Sequence, residues 1–242
     1  MSAAAVVTHA GIIAAGEGSR LAASHPGLVK PLVPVSGVPL CHWVARGLRE
    51  AGATQITVLL NTRGRAVRES LSRAFPETRW DFLEADTASS WESFRLVSGA
   101  LSKKTEGFVI TTVDSLIPPS QTAFFAARAV ECRAEAALAL TGFVDDEKPL
   151  WADVAADGFV TALGPKARLK NRVTSGLYYM SAALAARMPE ARAFDSLRGY
   201  WTSLVEGGVR VAGVNLSKTV DVDRPEDIRE AEGFLKQESA SW

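Results

Sequence analysis

Residues 12–39 read IIAAGEGSRLAASHPGLVKPLVPVSGVP, and this stretch decides the fold. It begins with an apolar run that has the length of a buried strand, and a glycine-rich turn, GEGSR at residues 16–20, follows directly. Glycines free the backbone where a side chain would block the approach of a ligand. Pro26, Pro31, Pro34 and Pro39 exclude a continuous helix over residues 21–38. We therefore predict a long irregular loop over the sheet edge, and loops of that length are usually functional.

A phosphate group is the ligand that this turn predicts. A Walker loop is excluded because the spacing GxxxxGK[ST] does not occur in the sequence. The dinucleotide fingerprint is excluded because Leu21 stands where its third glycine would be, and because no helix is expected to open directly from the turn. Arg20 and Lys30 provide two cations in the loop, one suited to forked phosphate contacts and one to a point-charge contact.

Length and composition predict a single globular domain over residues 1–242. The 242 residues are 47% apolar, which is enough for a large core, and the formal net charge is zero. Because the basic residues are dispersed, we expect no nucleic acid and no anionic membrane as a main partner. Cys41 and Cys132 lie in apolar helical segments, which predicts buried free thiols. The first residues lack a basic n-region and no apolar run reaches ~18 residues, so we expect a cytoplasmic enzyme, and a homo-oligomer is compatible with the sequence.

Helix and strand patterns alternate along the rest of the chain. We predict helices over residues 40–51, 64–75, 90–101 and 121–133, and strands over residues 56–60, 80–83, 108–113 and 136–141. This alternation indicates an α/β fold with three layers, α/β/α, around a mostly parallel central sheet. Asp157 and Gly158 separate two alternating stretches and predict a hairpin, which we expect to form a small β meander over the cleft.

Ligands of open α/β sheets bind beyond the carboxyl ends of the strands, so the residues that follow each strand are candidates for a site. Asp114 follows the buried strand 108–113, where a carboxylate has no packing value and a high desolvation cost, so it either faces a cation or caps a loop. Ser89 and Ser90 follow the strand 80–83 and stand where a helix begins. Helix capping and ligand binding are compatible roles for these two serines.

AAGEGSRL at residues 14–21, followed by KPLVPVSGVPL at residues 30–40, resembles the N-terminal signature of the sugar-phosphate nucleotidylyltransferase family. The usual family pattern is AAGxGTRL, PKPL and PVxxxP, from which Ser19 and Val29 depart mildly. The resemblance implies the nucleotide-diphospho-sugar transferase fold, which is Rossmann-like, with a nucleotide-binding half over about residues 1–135 and an acceptor-binding half over about 136–242. It also implies that Arg20 and Lys30 are catalytic. The nucleotide-binding positions that it implies are Ala14, Ala15, Gly16, Glu17, Gly18, Ser19, Glu84, Ser89 and Ser90.

The resemblance extends to the metal and the acceptor. Asp114 stands at the family's magnesium-binding aspartate, and VDVDRPEDI at residues 220–228 is similar to the closing motif, whose first aspartate, here Asp221, is the second Mg²⁺ ligand. Asp223 is either a helix cap or a further metal ligand. Lys166 matches the acceptor-phosphate lysine loosely, and Lys170 and Arg172 are alternatives for it. TSGLYY at residues 174–179 is similar to a family strand in which the glycine, here Gly176, lets a sugar ring lie against the backbone.

These residues imply an enzyme that converts an NTP and a sugar 1-phosphate to an NDP-sugar and pyrophosphate. Its partners would be a nucleoside triphosphate and a phosphorylated small-molecule acceptor. A cytidylyltransferase for phosphocholine or an inositol phosphate is a close alternative, because the segment from Ser89 to Trp91 departs from the family's base-binding pattern. A catalytically silent relative that binds nucleotide is a third hypothesis.

Overall fold

The computed structural model describes residues 7–22, 27–143 and 149–239, and Pro26 lies outside these residues. The strands are β1 (His9–Ala14), β2 (Pro34–Val35), β3 (Val38–Pro39), β4 (Gln55–Leu60), β5 (Arg79–Glu84), β6 (Gly107–Thr112), β7 (Ser115–Leu116), β8 (Ala136–Thr141), β9 (Ala152–Val154), β10 (Val160–Leu163), β11 (Val173–Ser181), β12 (Val211–Leu216) and β13 (Val220–Asp221). The helices are α1 (Ser19–Ala22), α2 (Leu40–Glu50), α3 (Arg65–Ala74), α4 (Ser90–Leu101), α5 (Pro119–Glu131), α6 (Ala182–Ala185), α7 (Leu197–Glu206) and α8 (Pro225–Ser239). Short 3-10 turns cover Lys30–Leu32, Gly164–Lys166 and Ala191–Ala193.

The central sheet of the described chain has seven strands in the order β12-β8-β11-β6-β1-β4-β5. Neighbouring strands pair in parallel except at β11, which runs antiparallel to both β6 and β8. Strand β1 lies between β6 and β4, with Ile12 opposite Thr111 on one side and Val58 on the other. The predicted mostly parallel mixed sheet is confirmed, and its topology brings the glycine-rich turn after β1 to the middle of one sheet edge.

Helices cover both faces of the sheet. On one face α2, α3 and α5 bury apolar residues such as Leu48, Leu71 and Phe125 against it. On the other face α4 and α7 contribute an aromatic group that includes Phe94 and Trp201. This arrangement confirms the predicted three layers, and burial of these apolar side chains is the main favourable contribution to folding.

The predicted hairpin is confirmed as the antiparallel pair β9 and β10, with Gly158 in the left-handed region at a φ of +86°. It is a two-stranded unit rather than a longer meander. Its Val154 and Val160 side chains lie 3.0 and 3.4 Å from where a Cβ of Gly213 in β12 would stand, so a glycine is needed for the hairpin to lie this close to the sheet.

The proline-containing loop after β1 is irregular in its described part, as predicted. The expectation that no helix opens directly from the glycine turn is wrong, because the single turn of α1 begins at Ser19, immediately after Gly18. The loop is held by a third apolar cluster, in which Leu21 and Val35 pack with Val222 and with Phe234 of α8. Val222 and helix α8, near the C-terminus, thereby pack against the N-terminal loop, although the two segments are far apart in the sequence.

Two expectations from composition can be compared with the structure. Cys41 and Cys132 are both free, as predicted, and Cys41 is fully buried, but the prediction of burial is wrong for Cys132, which is partly exposed. Among the described residues, no helix combines the length and the apolar character needed to cross a bilayer.

Candidate active site

Two adjoining cavities lie at the edge of the sheet where β1 and β6 end. The outer cavity, of about 580 Å³, is lined by Arg20, Thr141, Phe143, Val173, Thr174, Arg198, Thr219, Val220, Asp221, Asp223, Arg224, Glu226 and Asp227. The inner cavity, of about 120 Å³, is lined by Thr112, Asp114, Ser115, Leu150, Thr174, Ser175, Gly176, Tyr178, Leu197, Arg198, Trp201 and Asp221. Thr174, Arg198 and Asp221 line both, so the two cavities form one continuous cleft.

The glycine-rich turn packs directly on Lys30. Gly18 has a φ of +61°, and a Cβ at this position would stand 2.5 Å from the Cβ of Lys30. A side chain at Gly18 is therefore disfavoured both by the backbone conformation and by the space available. Ala14 and Ala15 are buried at the end of β1, while Gly16 and Glu17 are exposed to solvent.

Asn61 holds the start of this turn, although it was not among the predicted site residues. Its Nδ2 donates a hydrogen bond to the carbonyl oxygen of Ala15 at 3.2 Å, and its Oδ1 accepts from the backbone N–H of Arg63 at 3.1 Å. Asp114 was selected because it is a polar residue that directly follows a buried strand. Asn61 directly follows β4, so the same criterion identifies it as a candidate.

Lys30 joins three segments that are remote in the sequence. Its Nζ donates to Asp114 Oδ2 at 2.7 Å and also to Asp223 Oδ1, and its side chain is only 8% exposed. Burial alone lowers the pKa of Lys30, but the two carboxylates outweigh it, and the pKa is raised above its ordinary value. The pKa of Asp114 is lowered in turn, since the Lys30 charge and hydrogen bonds from Lys30 and Thr112 outweigh burial.

Asp221 is brought to the same place by β13, which pairs with β7 so that Asp221 lies opposite Ser115. Ser115 Oγ donates to Asp221 Oδ1 at 2.7 Å. The pKa of Asp221 is raised to about 6, first by desolvation of its carboxylate inside the cleft, although the residue as a whole is exposed, and then by the negative charge of Asp114. The carboxylates of Asp114 and Asp221 therefore concentrate negative charge in the cleft, and the positive charge of Lys30 compensates only part of it.

Gly176 is required by the same arrangement. A Cβ at this position would collide with the hydroxyl oxygens of Ser115 and Thr112. Gly176 lines the inner cavity, and its acceptor-binding role stays a prediction, because these two hydroxyl groups already account for the glycine.

Asp223 does not cap α8, so that interpretation is wrong. The cap is made by Asp227, whose Oδ2 accepts from the backbone N–H groups of Asp223 and Arg224 at 2.8 and 2.7 Å. This is the capping arrangement in which a side chain in the first helical turn reaches back to the helix start. The Asp223 carboxylate faces Lys30 instead, and its role as a metal ligand stays a prediction.

Asp114 and Asp221, the predicted magnesium ligands, both line the inner cavity, and their role as ligands stays a prediction. Within the described ranges, no group of three or more His, Cys, Asp or Glu side chains is arranged to hold a metal by protein ligands alone. Mg²⁺ usually takes one or two carboxylates together with water and substrate phosphates, and two carboxylates in one cavity, one of them paired with Lys30, match that number of ligands.

The residues predicted to contact the nucleobase lie outside both cavities. Glu84 is exposed at the end of β5. Ser89 is the N-cap of α4, where its Oγ accepts from the Glu92 N–H at 3.1 Å, so its capping role is confirmed. Ser90 Oγ accepts from the Leu197 N–H at 3.0 Å and thereby ties the start of α4 to the start of α7. Base binding by these three residues stays a prediction.

Lys166 is not brought to the cleft. It forms an ion pair with Glu206 of α7, with 2.8 Å between Lys166 Nζ and Glu206 Oε1, and it lines neither cavity. Arg198, near the start of α7, lines both cavities. No pattern in the sequence marks Arg198, since only the packing of α7 on the sheet places it there.

Comparison with known proteins is consistent with this geometry. The sequence model of the MobA-like NTP transferase domain family matches residues 10–174. The "Bifunctional protein GlmU" of Geotalea daltonii is 40% identical over 58 residues, and that of Pelobacter propionicus is 38% identical over 63 residues. These matches span 24% and 26% of this chain but only 12% and 13% of the relatives' own lengths.

Solved structures share the fold. The inositol-1-phosphate CTP transferase from T. maritima has a TM-score of 0.79 at 17% identity, covering 96% of this chain and 97% of the other. A UDP-glucose pyrophosphorylase complexed with UDP-glucose has a TM-score of 0.77 at 14% identity, with 96% and 99% covered. A putative glucose-1-phosphate thymidylyltransferase from Bacillus anthracis has a TM-score of 0.76 at 17% identity, with 93% and 94% covered.

Proposed function

The chain belongs to the MobA-like NTP transferase domain family, and from this premise we propose that it is a nucleotidyltransferase that joins an NTP to a phosphorylated small-molecule acceptor and releases pyrophosphate. A sugar 1-phosphate is the first candidate acceptor. The observation that supports this proposal most directly is the convergence of Lys30 with Asp114, Asp221 and Asp223 in a cleft beside the glycine-rich turn.

Charge repulsion is the main obstacle to such a reaction. A nucleoside triphosphate and a phosphate monoester together carry about six negative charges near pH 7, since the second pKa of a phosphate ester is about 6. The acceptor phosphate is therefore already ionised and needs no protein nucleophile or general base. Catalysis then consists of positioning the two substrates in line and stabilising charge at the reacting phosphorus.

The residues of the cleft are suited to these two tasks. Arg20 lines the outer cavity and Lys30 is held next to the glycine-rich turn, so both can bind the triphosphate and the departing pyrophosphate. Asp114 and Asp221 would hold Mg²⁺, which supplies positive charge to phosphate oxygens when it is bound. Lys30 is oriented before any ligand arrives, because Asp114 and Asp223 fix its ammonium group.

Two alternatives are kept in the same test. An inositol phosphate stays in the acceptor panel because the T. maritima protein, which has a similar fold, is described as an inositol-1-phosphate CTP transferase. A catalytically silent relative would bind nucleotide without turnover. The Asp221 carboxylate, which has no ion-pair partner among the described residues, lies beside the ion pair of Lys30 and Asp114, and this argues against a silent relative, because such an arrangement costs stability and needs a functional reason.

Nucleotide screening followed by product analysis tests the proposal. Thermal-shift measurements with ATP, CTP, GTP, UTP and dTTP plus Mg²⁺ identify the nucleotide. Pyrophosphate release is then measured with glucose 1-phosphate, inositol 1-phosphate and phosphocholine, with the Lys30→Ala variant as the inactive control. We expect magnesium-dependent release with one pair of substrates, and nucleotide binding without release from any pair would favour the silent relative.

A further inference from the structure

Two hydroxyl groups connect the carboxylates of Asp114 and Asp221. Thr112 is the last residue of β6 and Ser115 is the first residue of β7, so both lie close to Asp114 in the sequence. Thr112 Oγ1 and Ser115 Oγ are 3.1 Å apart, and Ser115 Oγ donates to Asp221 Oδ1 at 2.7 Å. The Thr112 hydroxyl group also makes a hydrogen bond to the Asp114 carboxylate. A chain of polar contacts therefore runs from Asp114 through Thr112 and Ser115 to Asp221.

The fold reserves space for this hydroxyl pair. Gly176 of β11 packs directly on it, and a side chain at this position would collide with both hydroxyl oxygens. Ser115 is only 2% exposed, and a buried hydroxyl group that loses its partners is costly. The pairing of β7 with β13 satisfies Ser115, because it places Asp221 directly opposite. The hydroxyl pair is therefore a fixed part of the cleft.

The hydrogen bond from Ser115 leaves part of the Asp221 carboxylate available to a ligand. It occupies Oδ1, whereas Oδ2 accepts no hydrogen bond from the described residues. A side chain that donates to a metal-binding carboxylate fixes its orientation, and loss of such a partner weakens metal binding by about 10- to 100-fold. Asp114 is held in a similar way, since it receives hydrogen bonds from Lys30 and Thr112. Both carboxylates are therefore oriented before a metal ion binds.

Repulsion between the two carboxylates makes this support necessary. Asp114 and Asp221 both line an inner cavity of only about 120 Å³, and like charges this close favour separation. Lys30 pairs with Asp114, but Asp221 has no ion-pair partner within the described ranges. Among the described side chains, Ser115 alone donates to the Asp221 carboxylate. Ser115 is therefore the group that holds Asp221 beside Asp114.

We propose that Thr112 and Ser115 are positioning residues whose hydroxyl groups hold the carboxylates of Asp114 and Asp221 in the orientation that a divalent cation requires. The assignment rests on the proposed function and explains how its metal site is kept in place. Neither hydroxyl group reacts, and each acts only through the carboxylate that it contacts. A variant that lacks one hydroxyl group should therefore fold and bind the metal more weakly.

Mn²⁺ binding to the full chain, measured from the electron paramagnetic resonance signal of the free ion, tests the assignment without any substrate. We expect Thr112→Val and Ser115→Ala to raise the Kd for Mn²⁺ about tenfold or more. Thr112→Ser keeps the hydroxyl group and should bind Mn²⁺ nearly as the wild type does, which a role of Thr112 in packing alone does not predict. Circular dichroism verifies that each variant is folded.

Thr57→Val is the matched control for Thr112→Val. Thr57 is a fully buried residue of β4 whose Oγ1 makes no hydrogen bond within the described part of the chain, and it lines neither cavity. Its Kd for Mn²⁺ should equal that of the wild type. The assignment is overturned if the wild type binds no Mn²⁺, if Thr112→Val or Ser115→Ala folds and binds Mn²⁺ normally, if Thr112→Ser is as defective as Thr112→Val, or if Thr57→Val shows the same loss.

Turnover separates this assignment from the proposed function. Thr112→Val and Ser115→Ala should need about tenfold more Mg²⁺ for a half-maximal rate of pyrophosphate release and should approach the wild-type rate at saturating Mg²⁺. An unchanged Mg²⁺ requirement would refute the assignment alone. Hydroxyl-dependent Mn²⁺ binding without release from any pair of substrates would refute the proposed function and leave the positioning assignment intact.

Discussion

Replacing Asp221 by asparagine should stabilise the folded chain near pH 8 while removing most of its activity. The pKa of Asp221 is about 6 in the folded state, against an ordinary value of 3.8, because burial and then Asp114 oppose its ionisation. A carboxyl group with a raised folded-state pKa makes no difference to stability below the unfolded pKa. It becomes increasingly destabilising as the pH rises from about 4 through 6, because the folded state then has to carry an unfavourable charge. Asparagine cannot carry that charge.

The size of the gain follows from the two pKa values. Converted in full, the difference between 3.8 and about 6 corresponds to about 3 kcal/mol. Asp221 is exposed at the cleft, however, and solvent screening reduces the expected gain to about 1 kcal/mol. For a chain of this size, 1 kcal/mol corresponds to a rise in Tm of about 2–4 °C.

Thermal unfolding of wild type and Asp221→Asn between pH 4 and pH 8 measures this effect. The Tm difference should be largest at pH 8, decrease on acidification and vanish near pH 4. Asp195→Asn is the matched control, since Asp195 is exposed and lines neither cavity, and it should show no such pH-dependent gain. Pyrophosphate release by Asp221→Asn should fall about 10²-fold, the scale of one lost electrostatic contact in an active site. A Tm gain that is independent of pH, or a loss of stability at pH 8, would refute the reasoning.

Three other perturbations follow from the geometry. Lys30→Ala should retain the circular dichroism spectrum and lose about 10²-fold in turnover, and wild-type turnover would remove Lys30 from the mechanism. Gly176→Ala should lower both Tm and turnover, because its Cβ would displace Ser115, whose hydroxyl group donates to Asp221. Gly99→Ala is the control, since nothing lies within 4 Å of a Cβ there. Wild-type Tm and turnover in Gly176→Ala would contradict the close packing around Gly176. Chelation with EDTA should abolish pyrophosphate release and added Mg²⁺ should restore it, whereas undiminished release in EDTA would count against a metal at Asp114 and Asp221.

The fold could be predicted from the sequence because its signals are local. Helix α4 covers the predicted residues 90–101, and the predicted strand 136–141 coincides with β8. The apolar periodicities that predicted these elements arise because each helix or strand buries one or both of its faces. This pattern is the same whichever other element of the fold it packs against. The hairpin was found from Asp157 and Gly158 for a similarly local reason, since Gly158 adopts the positive φ that such a turn requires.

The cleft was predicted less completely, because its contacts join distant parts of the chain. Asp114 was found by the strand-end rule, but Asn61, which stands at the same kind of position, was missed. A cap of α8 was one of two roles predicted for Asp223, yet Asp227, the third residue of the helix, has a carboxylate that makes this cap. Once Asp227 makes the cap, the Asp223 carboxylate can turn to Lys30.

The sequence by itself determined the layers of the fold, the glycine-rich turn and the identities of the charged groups that the cleft could use, since each depends on a residue and its near neighbours. Only the tertiary structure decided which of these groups meet. Packing of α8 under the N-terminal loop brings Asp223 to Lys30, and packing of α7 on the sheet brings Arg198 into the cleft and leaves Lys166 outside it. The physical reason is that a charge acts over a few ångströms of space, and the distance between two side chains is set by how elements pack, not by their separation along the chain.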